Sequence, residues 1–216
     1  MRVLAVPVKS LERAKGRLSG LLSPVERAAL TLAMVGDVLD AALAQEGWET
    51  WVVSGDEAIL ETSARRGATP FPEDAGSLLG ALREVEGRVN GPKSELAVLL
   101  ADVPLLSATT LATALAVDAA VVAAPAGSDG GTNLLVRWPP TVIPARFGRE
   151  SFARHRWAAR KARVTFEEVR HPELAFDVDR PQDVAALIDA GTPGRTATVC
   201  QELGLAARLR RTAEKA

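Results

Sequence analysis

Short, almost wholly apolar runs alternate along the chain with longer stretches in which apolar residues recur every three or four positions. The runs Met1 to Val8, Trp48 to Ser54 (centred on Trp51-Val52-Val53), Leu96 to Leu100 and Ala119 to Ala124 have the character of strands buried on both faces. Helices are predicted between them. The first opens at Ser23-Pro24-Val25-Glu26, with a serine cap, a proline in the first turn and a glutamate completing a capping box, and runs to about Gln45. Others span Glu57 to Arg66, stopped by Gly67, and about Ser107 to Ala116. This strand–helix alternation predicts an α/β fold with a mostly parallel sheet flanked by helices on both faces.

The rhythm changes after Pro125. Gly130-Gly131 leads straight into an extended run, Thr132 to Trp138, with no helix before it, and Pro139-Pro140 ends it. Such a strand pairs antiparallel and makes the sheet mixed. Phe147 to Ala162 reads as helix, Val164 to Val169 and Leu174 to Val178 as extended, and Asp179-Arg180-Pro181 opens a helix reaching about Ala190. The last, charged turns read as a peripheral C-terminal helix. With no repeat, low-complexity tract or long linker, residues 1–216 read as one domain. The break after Pro125 divides it into a first half of about 1–125 and a second of about 126–190.

Composition narrows the function. The single Cys200 and the widely separated His155 and His171 give neither a disulfide nor a zinc spacing, so a metal here is expected to be a hard cation on oxygen ligands. A formal net charge of −1 argues against a nucleic-acid partner. The basic stretch Arg146 to Arg163 suits an anionic ligand, or is simply a solvated helix face. No apolar run reaches the length of a membrane span, so a cytoplasmic protein with no membrane partner is expected.

Four groups of residues carry candidate chemistry. The loop after the first strand, Pro7 to Leu18, holds Lys9, Arg13, Lys15 and Arg17 at the carboxyl end of a strand, where open α/β sheets bind ligands. Its cations suit a triphosphate, although a solvated basic loop has the same composition. Asp102 follows an apolar strand, in position either to hold a metal or to cap the turn. Asp177 and Asp179, one residue apart, fall on one face of an extended segment and repel unless a cation lies between them; Asp179 has the alternative role of helix cap. Gly130 to Asn133 and Phe147 to Ser151 combine glycines with hydroxyls and a helix start, which suits a phosphate or carboxylate as well as an ordinary turn and cap.

In this order, four segments resemble the phosphoenolpyruvate and 2-phospho-L-lactate guanylyltransferases, which make the guanylylated precursor of coenzyme F-420. They are Pro7-Val8-Lys9 with Ala14-Lys15-Gly16-Arg17-Leu18, Gly130 to Asn133, Phe147-Gly148 with Ser151-Phe152 and His155, and Asp177-Val178-Asp179 with Pro181 and Asp183. The resemblance spans about Val3 to Ile188 and implies a nucleotide-diphosphosugar-transferase-like (GT-A-like) fold. It implies Mg2+ as cofactor on Asp102, Asp177 and Asp179, which would also be the catalytic residues. Thr132, Gly148 and Ser151 would bind a small phosphorylated carboxylic acid, and Lys9, Lys15 and Arg17 the phosphates of GTP. The acceptor could be phosphoenolpyruvate, 2-phospho-L-lactate or 3-phosphoglycerate. One departure is Leu79 in Ser77-Leu78-Leu79-Gly80-Ala81, where the family pattern has an asparagine. That bears on base selectivity and leaves open another nucleotidyltransferase of this fold, or a noncatalytic nucleotide-binding protein. The long first helix carries apolar surface enough for a homodimer.

Overall fold

In a computed structural model, residues 1–213 are described. The strands are β1 (Arg2–Pro7), β2 (Glu49–Ser54), β3 (Thr69–Pro72), β4 (Glu95–Leu99), β5 (Val121–Pro125), β6 (Thr132–Arg137) and β7 (Phe166–Glu168). They form one sheet in the order β3-β2-β1-β4-β6-β5-β7. All pairings are parallel except those of β6, which runs antiparallel to both β4 and β5. Reversal of that strand brings the start of β6 to the same edge as the carboxyl ends of β1 and β4.

Both faces of the sheet are covered, which is why its strands read as continuous apolar runs. Leu4, Val6, Val52, Ala97, Leu99, Val122 and Ala124 pack with Val35, Val38 and Leu39 of α1 (Pro24–Leu43) and Leu111 of α4 (Ala108–Leu115). Their neighbours in sequence, Val3, Ala5, Trp51, Val53, Leu96 and Val98, face the other way. These meet Leu82 and Val85 of α3 (Leu78–Arg88) and Phe152 and Ala159 of α5 (Ser151–Ala162). The helix α2 (Glu57–Arg65) is capped by Asp56, whose carboxylate accepts from the amides of Ala58 and Ile59. The capping box expected at Ser23 and Glu26 is present at the start of α1.

Several expectations need correction. The strand β3 was not foreseen: Thr69-Pro70-Phe71-Pro72 has two prolines and lacks the apolar run of an inner strand, and it forms an edge, where proline is tolerated. The α5 helix starts at Ser151 rather than Phe147, because Gly148 (φ 109°) and Glu150 (φ 57°) hold a left-handed turn before it. Leu174 to Val178 is not a strand. Pro172–Ala175 forms a short helix, α6, capped by His171, and only the residues beyond Ala175 run out of helix.

The C-terminal residues form two helices, α8 (Arg195–Glu202) and α9 (Leu205–Ala213), and are less peripheral than expected. Cys200 and Leu205 are buried with Leu30 and Met34 of α1, Val184 and Leu187 of α7 (Pro181–Ala190), and Leu18 and Val178. Asp37 of α1 accepts from the backbone amides of Arg195 and Thr196, fixing α8 across α1. Part of the first helix's apolar surface is thereby covered within the chain. Among the described residues, no helix is long and apolar enough to cross a membrane.

Candidate active site

The basic loop after β1 is not a loose solvated segment. It folds into two tight 3-10 turns, Leu11–Arg13 and Gly16–Leu18, and Leu18 is fully buried as an anchor. Between the turns Lys15 adopts φ 50° and ψ 42°, a left-handed conformation costing a non-glycine residue about 1–3 kcal/mol. Its side chain is turned inward and only 9% exposed. The ammonium donates to Asp102 Oδ2 at 3.0 Å and to Asp179 Oδ1 at 2.9 Å. Burial works against the charge, but Asp102 and Asp179 outweigh it and raise the lysine above its ordinary value.

Three segments distant in sequence meet here. Asp102 lies just beyond β4, and its backbone carbonyl accepts from the amide of Val178, so the β4 turn and the Asp177-Val178-Asp179 segment are tied together. Val178 is buried in the core below, which leaves the carboxylates on either side of it to the site. Asp179 does not act as the helix cap. Asp183 Oδ2 takes that role, accepting from the amides of Asp179 and Arg180. The Asp179 carboxylate instead accepts from Lys15 and, through Oδ2, from Arg17 at 3.0 Å. Burial alone would raise its pKa, but Lys15, Arg17 and Lys9 hold it below the ordinary value. All three sequence-predicted cations therefore act on this cluster.

Asp177 has the opposite environment. Burial, with Asp102 and Asp179 as like charges beside it, pushes its carboxyl up to about 6, eased only in part by the Asn133 amide. Its Oδ2 accepts from Ser128 Oγ at 3.3 Å. Its Oδ1 and the Oδ1 of Asp102 are both buried without a hydrogen-bond donor. Two bare carboxylate oxygens beside a raised acid call for a cation. Among the described residues no three His, Cys, Asp or Glu side chains stand ready-grouped around a metal position, since Asp179 gives its oxygens to Lys15 and Arg17. Magnesium does not need such a cage, because one or two carboxylates together with water and substrate phosphates usually hold it. Asp102 and Asp177 fit that description.

The second half of the site adjoins the first through β6. Asn133 faces the Asp177 side, with its amide nitrogen donating to the Leu174 carbonyl, while Thr132 turns to the α5 side. Ser151 Oγ and Thr132 Oγ1 are 2.9 Å apart, and both residues are almost wholly buried. The glycine loop is laced to the helix start: the Phe152 amide donates to the Gly130 carbonyl and the Glu150 amide to that of Asp129. Gly148 holds φ 109°, and the space where a Cβ would project is open. Thr132, Gly148 and Ser151 are thus brought together, and Asn133 links their strand to the acid cluster. Leu79, in the first turn of α3, is 38% exposed rather than part of the core.

His155 was missed as a site residue in the sequence. Its ring is fully buried, 3.1 Å from Thr132 Oγ1 through Nδ1, and edge-on to Phe147. The available signals were its place in the Phe147 to His155 segment that carries the resemblance and its position four residues after Ser151, one helical turn along the same face.

A guanylyl transferase family model, described as "CofC like", matches the chain over residues 1–216. The protein belongs to this CofC-like family. Among its relatives, a phosphoenolpyruvate guanylyltransferase of Rubrobacter xylanophilus is 37% identical, with 88% of this chain and 96% of that one covered. A 3-phospho-D-glycerate guanylyltransferase of Phenylobacterium zucineum is 34% identical over 88% of this chain and 91% of its own. A 2-phospho-L-lactate guanylyltransferase of Haloarcula marismortui is 37% identical over 86% and 84%. A crystal structure provisionally described as a nucleotide-diphospho-sugar transferase from Desulfovibrio desulfuricans G20 superposes with a TM-score of 0.79, covering 97% of both chains at 18% identity. At that identity the likeness carries the fold alone. The CofC-like chain is accordingly a nucleotidyltransferase of the guanylyltransferase class, on a nucleotide-diphosphosugar-transferase-like fold.

Proposed function

We propose that this protein transfers GMP from GTP to a small phosphorylated carboxylic acid, releasing pyrophosphate, with phosphoenolpyruvate as the favoured acceptor and coenzyme F-420 biosynthesis as its setting. The observation that carries this reading is that two unlike groups of residues lie at the same end of β6. A carboxylate cluster with Lys9, Lys15 and Arg17 reaches Asn133 of β6, and the next residue along, Thr132, belongs to the buried Thr132–Ser151 hydroxyl pair near the open Gly148 turn. The acceptor choice rests on relatives named for phosphoenolpyruvate, with others named for 3-phospho-D-glycerate and 2-phospho-L-lactate.

In this reading, Lys15 and Arg17 leave Asp179 for the nucleotide's phosphates and neutralise the charge that grows on the departing pyrophosphate. Lys9, exposed at the loop's start, adds to the same field. Asp102 and Asp177 would hold Mg2+ through their bare oxygens, with Asp179 able to join once its cations have moved. The ion would supply charge neutralisation and Lewis-acid polarisation of phosphate oxygens. Thr132, Ser151 and the Gly148 turn orient the acceptor so that its phosphate oxygen attacks the α-phosphorus of GTP and the bond to the β-phosphate oxygen breaks. A phosphate acceptor is already ionised near neutral pH, so no general base is required and positioning does most of the work.

The test is pyrophosphate release from purified protein with GTP and magnesium, run with each of the three acids and with none. Release that depends on one acid supports the proposal and names the acceptor. GTP binding with no release under any acid would favour a noncatalytic nucleotide-binding protein. Release that needs a different acceptor would point to another nucleotidyltransferase.

A further inference from the structure

His155 sits in a hydrogen-bonded chain whose direction can be worked out from chemistry alone. Its Nε2 lies 2.9 Å from the backbone nitrogen of Arg146. A backbone N–H can only donate, so Nε2 must be the accepting, unprotonated nitrogen of a neutral ring. The ring's one proton is then on Nδ1, and Nδ1 donates to Thr132 Oγ1 at 3.1 Å. Burial, followed by the charges of Arg137, Arg154 and Arg146, lowers the ring to about 3, which keeps it neutral at any working pH.

That tautomer sets the count of protons next door. Thr132 and Ser151 have two hydroxyl protons between them, and their mutual 2.9 Å hydrogen bond uses one. The Thr132 oxygen is already an acceptor for His155. Whichever way the mutual bond points, one hydroxyl proton remains, and none of the described hydrogen bonds takes it. We infer that His155 is a positioning residue of the acceptor site, fixing the Thr132–Ser151 pair so that its remaining proton is donated to an anionic oxygen of the phosphorylated acid. The inference rests on the acceptor role proposed above for Thr132 and Ser151. By holding the Arg146 amide as well, the ring ties the approach to the Phe147-Gly148 turn to the same pair.

The test combines a spectrum with kinetics. The chain has two histidines, and the other, His171, accepts the Glu173 amide at Nδ1, so the two rings should be opposite tautomers. An imidazole 15N spectrum of the ligand-free protein should show one ring protonated on Nδ1 and assign it to His155 by its loss in a His155→Asn variant. Kinetically, His155→Asn keeps a donor near the Nδ1 position, whereas His155→Gln keeps only a group able to accept near Nε2. The expected result is an acceptor KM raised tenfold or more in His155→Gln and only a few fold in His155→Asn, with the GTP KM unchanged in both. A His155 ring protonated on Nε2, or a His155→Gln variant with the wild-type acceptor KM, overturns the inference while leaving the guanylyltransferase reading intact. Wild-type protein that releases no pyrophosphate with any phospho-acid overturns that reading, and this inference with it.

Discussion

The Lys15 ammonium and the Asp179 carboxylate, 164 positions apart in sequence, meet at 2.9 Å on the rim of the sheet. Lys15 reaches that point only by adopting a left-handed backbone conformation, so local strain is exchanged for a buried cation between Asp102 and Asp179. The lysine serves as counter-charge for both carboxylates.

Replacing it by methionine keeps the aliphatic stem and removes the charge. Asp102 and Asp179 are partly exposed, so the loss of folding stability should be modest, about 1–2 kcal/mol by urea unfolding near neutral pH. Turnover should suffer more, by about 100-fold, because the cation proposed to meet the phosphates is gone. Near-normal pyrophosphate release from Lys15→Met would remove the lysine from the phosphate site.

Asp177 gives a pH-dependent prediction. Its carboxyl is at about 6 in the folded chain against an ordinary 3.8, so between those values the folded state binds the extra proton. Stability in chelator should therefore decline as pH rises from about 4 to about 6. Asp177→Asn cannot ionise and should be more stable than the parent at pH 7.5, by about 1–2 kcal/mol after allowing for partial solvent exposure. The same variant should lose turnover by at least about 100-fold. A parallel pH profile for the two proteins would contradict the raised acid, and a normal rate would contradict its assignment to the metal.

Magnesium should act in the opposite sense. A cation favours the ionised carboxylate, so millimolar magnesium ought to raise the melting temperature more at pH 7.5 than at pH 5. In Asp177→Asn the increment should shrink at the higher pH. An equal shift at both pH values would point to binding elsewhere.

Away from the site, Arg137 is fully buried and paired with Glu86 at 2.6 Å, and also donates to the Ile143 carbonyl. Burial depresses the guanidinium's pKa and Glu86 works against that. Glu86→Ala should destabilise the chain by about 3–5 kcal/mol, since it leaves a buried charge without its carboxylate. The double variant Glu86→Ala/Arg137→Met should recover most of that in denaturant unfolding. No recovery would mean that Arg137 contributes through packing instead.

Leu79 tests the departure from the family pattern. Because it is exposed in the first turn of α3, Leu79→Asn should change stability by less than about 0.5 kcal/mol. If an amide at this position hydrogen-bonds the nucleotide, the KM for GTP should fall by about threefold to tenfold, the worth of one such bond. An unchanged KM would free nucleotide recognition from this position.

The alternation of buried runs with helical periodicity, the capping box at Ser23 and the uninterrupted step from Gly131 into Thr132 were enough to establish a mixed α/β sheet with a late antiparallel strand. These are local signals, set by backbone hydrogen bonding and by the two-residue and 3.6-residue periods of side chains. The edge strand β3 and the left-handed turn before Ser151 were harder to read. Neither has a periodic apolar face, and each is stabilised by neighbours: β2 for the first and the Asp129–Gly130 carbonyls for the second.

The sequence by itself placed the candidate residues at strand ends and turns, but left each with an ordinary structural alternative. Only the tertiary structure decided which partners these residues, and His155 with them, meet. Asp183, not Asp179, caps α7; Asp102 and Asp177 each keep a bare oxygen; and His155 is drawn against Thr132 with its tautomer set by the Arg146 amide. The physical reason is common to all three cases. Whether a polar group caps a helix, pairs with a charge or waits for a ligand depends on which donors and acceptors surround it, and here those come from segments many tens of residues away or from a turn that only the folded backbone creates.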